Sequence, residues 1–157
     1  MLEEVLQSIS KTSPTMTTND PTVLIGMMIK HKDIIRQVYE AQSKDTIEFS
    51  GRGILEARNV ITSLDLPVQY AVISTDVFQK IIHETWFAEM CSPVTTAEVH
   101  TGKLCSLFGM DILCEAFFHP EERSFDRSAK RLFAAVSVTE RHGTKIYRAR
   151  FEDEDDQ

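Results

Sequence analysis

Between Val68 and Ser74 the chain reads VQYAVIS, a run of β-branched, aromatic and small apolar residues with one amide, at Gln69, and a closing serine. Such a run has no water-facing side, so it belongs inside a sheet with strands on both of its edges. The helix signal TDVFQKIIHE follows with no intervening loop. Ser74 or Thr75 can cap it and Asp76 suits its first turn, while Val77, Phe78, Ile81 and Ile82 supply a buried side, which predicts a helix over 75–84. Backbone N–H groups gather at a helix start of this kind. No glycine-rich loop or lysine stands there, however, and phosphate binding is not indicated.

The rest of the chain builds outward from this unit. Asp20-Pro21 is a capping acid followed by proline in a first turn. After it Val23, Leu24, Met27, Met28, His31, Ile34, Ile35, Val38 and Ala41 recur at helical spacing, which predicts a helix over 21–42 whose wide apolar stripe is buried, with His31 as a hydrogen-bonded core histidine. KDTIEFSG suggests a short strand with Ile47 and Phe49 on one side, and Ser50–Gly53 a turn. A second helix is expected over 54–64, with Ile54, Leu55, Ala57, Val60, Ile61 and Leu64 inward. ETWFAEMCSPV reads as a loop around the single Trp86. Gly102, a short KLCSLF segment and Gly109 then lead into the strand MDILCEAF, and RLFAAVSV (131–138) and KIYRARF (145–151) read as strands joined by the hairpin turn Glu140–Gly143. Helices first, one strand–helix unit in the middle and antiparallel strands last define an α+β chain, with helices 21–42, 54–64 and 75–84 packed on a mixed or antiparallel sheet. Residues 19–151 form one domain in this reading. Residues 1–18 are an amphipathic arm (Leu2, Val5, Leu6, Ile9) plus a Ser/Thr/Pro linker, with the arm expected to pack on a neighbouring subunit, and 152–157 are an acidic tail.

Charge and cysteines restrict the function. The net charge is −7, yet five acids, Glu152, Asp153, Glu154, Asp155 and Asp156, sit in the last six residues, and without them the balance is −2. A nearly neutral body with an acidic tail is not a phosphate-backbone binder, so no direct nucleic-acid contact is expected. No apolar run approaches the roughly 20 residues needed to cross a bilayer, and no membrane partner is expected. The three cysteines, Cys91, Cys105 and Cys114, are odd in number and widely spaced, with no C-x-x-C pair, which fits reduced thiols. His100 with Cys105, and Cys114 with His119, stand five apart, a spacing that suits no common zinc site. Alternation in MDILCEAF places Met110, Ile112 and Cys114 on one core-facing side. G-x-S-x-G, P-loop and dinucleotide motifs are absent. The reading is therefore a non-enzyme with no catalytic residue, no cofactor and no metal. Candidate contact residues are Phe117, Phe118, His119, Pro120 and Phe125 on the loop 117–125, where aromatics stand beside proline and charge. To these are added Arg148 and Arg150, which share a strand face beside Arg141 and Lys145, and the tail acids 152–156.

Three segments carry a resemblance. LDLPVQYAVISTDVFQKII (64–82), HTGKLCSLFGMDILCEAFFHPEERSF (100–125) and PTVLIGMMIKHKDIIRQV (21–38) resemble, in pattern and order, parts of tailed-bacteriophage major capsid proteins. The resemblance implies a capsid-like fold with a long spine helix, a central strand at Val68–Ser74 and a loop at a subunit contact over Phe117–Phe125. It further implies a virion protein, present in the host cytoplasm before assembly, that contacts itself or other virion proteins as a homo-oligomer or as a piece docked on a larger assembly. The chain is short for such a subunit, and KDTIEFSGRG is too short for the extended hairpin that clasps neighbours, so the implied relative is a reduced or divergent one. The alternative function is a small phage-encoded interaction protein that inhibits a host nucleic-acid enzyme through its acidic tail.

Overall fold

In a computed structural model, residues 20–118 and 130–152 are described. Helix α1 (Pro21–Glu40) begins at Asp20, whose Oδ1 accepts the Thr22 N–H at 2.9 Å, with Pro21 supplying a first-turn residue that needs no partner. Strand β1 (Thr46–Ile47) leads to α2 (Gly51–Thr62), then β2 (Tyr70–Ile73), α3 (Thr75–Ile81) and α4 (Thr85–Met90). Strand β3 (Ser92–Pro93), α5 (Thr96–Val99), β4 (Lys103–Leu107) and β5 (Met110–Cys114) follow, with a 3₁₀ turn at Glu115–Phe117. Strands β6 (Leu132–Thr139) and β7 (Gly143–Phe151) complete the elements.

The seven strands among the described residues form one mixed sheet in the order β1-β7-β6-β2-β5-β4-β3. The apolar strand β2 is its middle member, antiparallel to β6 and parallel to β5, and β1 lies parallel to β7. The remaining neighbours are antiparallel. The chain is thus α+β, as its element order suggests.

Alternation along the strands divides the core into two layers. On one face Val72, Leu113, Leu132, Ala134 and Val136 meet Ile34, Ile35, Val38 and Tyr39 of α1. On the other, Ala71, Ile73, Ile112, Cys114, Phe133, Ala135 and Phe151 meet α2, α3 and α4 through Ile54, Ala57, Ile61, Val77, Ile81 and Phe87. Both faces of β2 are therefore covered, which is why its sequence shows no polar alternation. The tight turn at Phe108-Gly109 has both residues at positive φ (52° and 77°), the twist a two-residue hairpin between β4 and β5 needs.

Several expectations are corrected. Ser50–Gly53 is not a free turn: the Ser50 side chain accepts the Gly53 N–H at 3.2 Å and caps α2, which starts three residues earlier than the apolar pattern suggests. Val60 and Leu64 are exposed, not inward, and α3 ends at Ile81, leaving Ile82 exposed. The stretch around Trp86 is helix α4, with Phe87 buried. The strand expected over Val68–Ser74 is confined to Tyr70–Ile73, because Ser74 has become the cap of α3. The strand from Met110 stops at Cys114, where the chain turns through the 3₁₀ segment.

Candidate functional site

The largest departure from expectation lies in the first half of α1. Seven consecutive apolar residues, Val23–Ile29 (VLIGMMI), cover the whole circumference of two helical turns. The sheet covers one side of a helix only. Leu24, Met27 and Met28, on that side, are half-buried, and complete burial begins at His31. On the outward side Ile25 and Ile29 are 53% and 61% exposed, with Val23 also open at 40%. Ile25 and Ile29 are four residues apart and stack along one line. Gly26 lies beside them, and a side chain placed on it would meet no atom within 4 Å. The result is an apolar ridge next to a flat spot where another backbone can come close. A helix that is apolar all round needs cover all round.

Around the helix, charge is placed toward its C-terminal half. The Lys30 ammonium sits 5.3 Å from the centre of the Tyr70 ring and that of Lys32 lies 5.5 Å from the Phe118 ring, while Arg36 pairs with Asp33. The inner side is fixed by a polar cluster. His31 Nδ1 donates to the Thr101 carbonyl at 2.8 Å, since a carbonyl only accepts, and burial holds this imidazole below its ordinary pKa. Lys103 lies between Glu98 at 3.1 Å and Asp111 at 3.2 Å. Burial acts to lower its pKa, but the two carboxylates outweigh that effect and hold it above the usual value. Ser106 Oγ completes the cluster with a 3.3 Å bond to Asp111. The His31 bond ties α1 to the turn that precedes β4, and Lys103, Glu98, Asp111 and Ser106 satisfy one another beside it.

The residues expected at contacts are distributed differently. Phe118 is buried in the layer beneath α1, and Phe117 is half-buried against Phe78, edge to face at 5.2 Å. Both are core residues, because the 3₁₀ turn folds them back onto the sheet. Arg148 is likewise not free for a neighbour: its Nη1 donates to the carbonyls of Val38 at 3.1 Å, Tyr39 at 3.0 Å and Ala41, capping the C-terminus of α1. It does so inside an open groove also lined by Glu40, Gln42, Ser43 and Lys44. Arg150 is exposed. Glu152 has an exposed side chain, but its carbonyl accepts from Arg131 Nε and Nη2 at 3.1 and 2.6 Å, which anchors the start of the tail. His119, Pro120, Phe125 and Asp153–Asp156 lie outside the described residues, as does the segment 1–18.

Cys114 is fully buried, as strand alternation suggests, and Cys105 is nearly so. Burial and the adjacent Cys91 push the Cys105 thiol far up, so it stays protonated at neutral pH. All three cysteines are free. Among the described residues no three histidine, cysteine or acidic side chains converge as metal ligands, and no helix is long and apolar enough to cross a membrane. The expectation of a buried stripe passes over the outward residues of α1, whose signal in the run VLIGMMI is the absence of any polar face. A scan of protein families and searches of curated proteins and of solved structures found no significant match to this chain.

Proposed function

We propose that this chain is a non-catalytic structural or assembly component of a tailed-phage particle, which engages another virion protein through the outward side of α1. The observation that carries the contact surface is the bare ridge of Ile25 and Ile29 on the first half of α1, where Val23–Ile29 is apolar on every side. Burying the exposed part of each of these side chains, little more than half of it, on a partner contributes about 1–1.5 kcal/mol, and the flat spot at Gly26 permits close packing. The assignment to a virion is supported by the resemblance of segments 21–38, 64–82 and 100–125 to capsid proteins.

The test is incorporation. The chain is expected to co-purify with particles, and Ile25→Glu/Ile29→Glu, which alters only exposed positions, is expected to fold normally and to be lost from them. Incorporation of that variant at the normal level overturns the contact surface. Absence of the unaltered chain from purified particles overturns the structural role. If the chain instead binds a basic host protein in a manner weakened by salt and abolished by deleting 152–157, the tail-borne inhibitor is the correct function.

A further inference from the structure

The outer edge of β7 is mostly bare. The strand pairs with β6 along its whole length, but β1 covers only Arg150 and Phe151. The Arg150 N–H reaches the Asp45 carbonyl on the β1 side, and the Phe151 N–H reaches the Arg131 carbonyl on the β6 side. Alternation from Arg150 therefore turns the N–H and C=O groups of Thr144, Ile146 and Arg148 outward. Among the described residues none pairs with them. A groove lined by residues 39–44 opens at Arg148. We propose that this bare edge, residues 143–149, pairs antiparallel with the same edge of a second copy about a two-fold axis at Ile146, which joins two seven-stranded sheets into one. The pairing does not depend on what the outward side of α1 touches.

Register and charge select this occupant. An antiparallel ladder sets outward residues opposite outward residues, because such pairs exchange their bonds. With the centre at Ile146, Thr144 faces Arg148 of the second copy and Ile146 faces its own counterpart, and the three pairs exchange roughly six backbone bonds. Each bare stretch then lies against the other over its full length and stops where β1 begins. A centre at Lys145 sets two ammonium groups opposite each other, which is destabilising. A centre at Tyr147 brings Thr144 of the second copy to Arg150, where β1 already sits. In the Ile146 register the exposed Lys145 stands opposite Tyr147 of the second copy. That ring has acids beside it: burial, and then the Asp45 and Glu56 carboxylates, push the Tyr147 phenol up to about 12. A lysine on an edge strand ordinarily deters pairing. Here it meets opposite charge in one register and like charge in the next, so it chooses the register.

The test is hydrogen exchange of the full chain, read amide by amide, with sedimentation to count the copies. The expected result is a concentration-dependent dimer in which the amides of Thr144, Ile146 and Arg148 slow by about tenfold or more. Those of Lys145, Tyr147 and Ala149, already bonded to β6, should not change. A chain that stays monomeric at its highest soluble concentration overturns the inference. Slow exchange of the three amides in the monomer also overturns it, by assigning the edge to a segment of the same chain, as does a dimer in which they exchange freely. Lys145→Glu, at an exposed position, should fold normally and weaken dimerisation roughly tenfold, because both symmetric contacts turn from attraction to repulsion. Unchanged dimerisation of that variant overturns the inference. Ile25→Glu/Ile29→Glu should dimerise like the unaltered chain, and loss of its dimer moves the interface to α1 and overturns the pairing at β7.

Discussion

At the scale of single residues, three positions carry consequences out of proportion to their size. His31 is 2% exposed and its folded pKa is depressed by burial. Unfolded, it takes up a proton near pH 6.5. Between that value and the lower folded one the unfolded chain binds more protons, so stability is complete above pH 6.5 and is lost as pH falls below it. Urea unfolding at pH 7.5 and pH 5 should show this loss, and His31→Gln should reduce it. Gly53 has no room for a methyl group, because a Cβ there would stand 1.9 Å from the Glu48 carbonyl oxygen. Gly53→Ala should cost more than about 2 kcal/mol in a chemical melt, although alanine is the better helix former. Arg148→Ala strips the end of α1 of a charged donor and should cost about 1.5–3 kcal/mol, with no shift in spectroscopic helix content beyond the last turn. From sequence, Arg148 reads as a surface cation. Nothing in the alternation of KIYRARF says that its guanidinium reaches three carbonyls more than 100 residues away.

At the scale of elements, legibility follows length and periodicity. Helix α1 is readable to within two residues because Asp20-Pro21 marks its start and twenty residues of pattern sustain it. Strands β6 and β7 are readable because the turn residues between them include a glycine, Gly143, at φ 67°. Helices α4 and α5, of six and four residues, are too short to show a period, and packing decides them. The surface of α1 was hidden for a different reason. A core-facing stripe and an outward apolar side are superposed in VLIGMMI, and a pattern search that finds the first has no cause to seek the second. Because its two halves differ, α1 should behave as two units in hydrogen exchange. Amides from His31 to Glu40 should be protected by the full stability of the sheet, and those from Leu24 to Ile29 should exchange faster. Equal protection of the two halves would show that the first half needs no cover.

At the scale of the molecule, the division of labour is simple: one face of the sheet is sealed by three helices, and the other by the second half of α1. The class was legible because strand β2 has no polar face and because helical and antiparallel segments are segregated along the chain. The sheet order was not, since no local pattern encodes that β1 lies beside β7 or that β2 is parallel to β5. The consequence of that order lies in time. Thr46, Ile47 and Phe49 come early in the chain, yet their partners Arg150 and Phe151 come at the end of β7. During synthesis the middle of the sheet can assemble as soon as β6 emerges, but its far edge stays open, and Phe133 lacks its ring neighbour, until residue 151 has left the ribosome. Until then a nascent chain carries an unfinished edge, the interval in which chaperones would find it and in which a premature stop would leave an aggregating fragment.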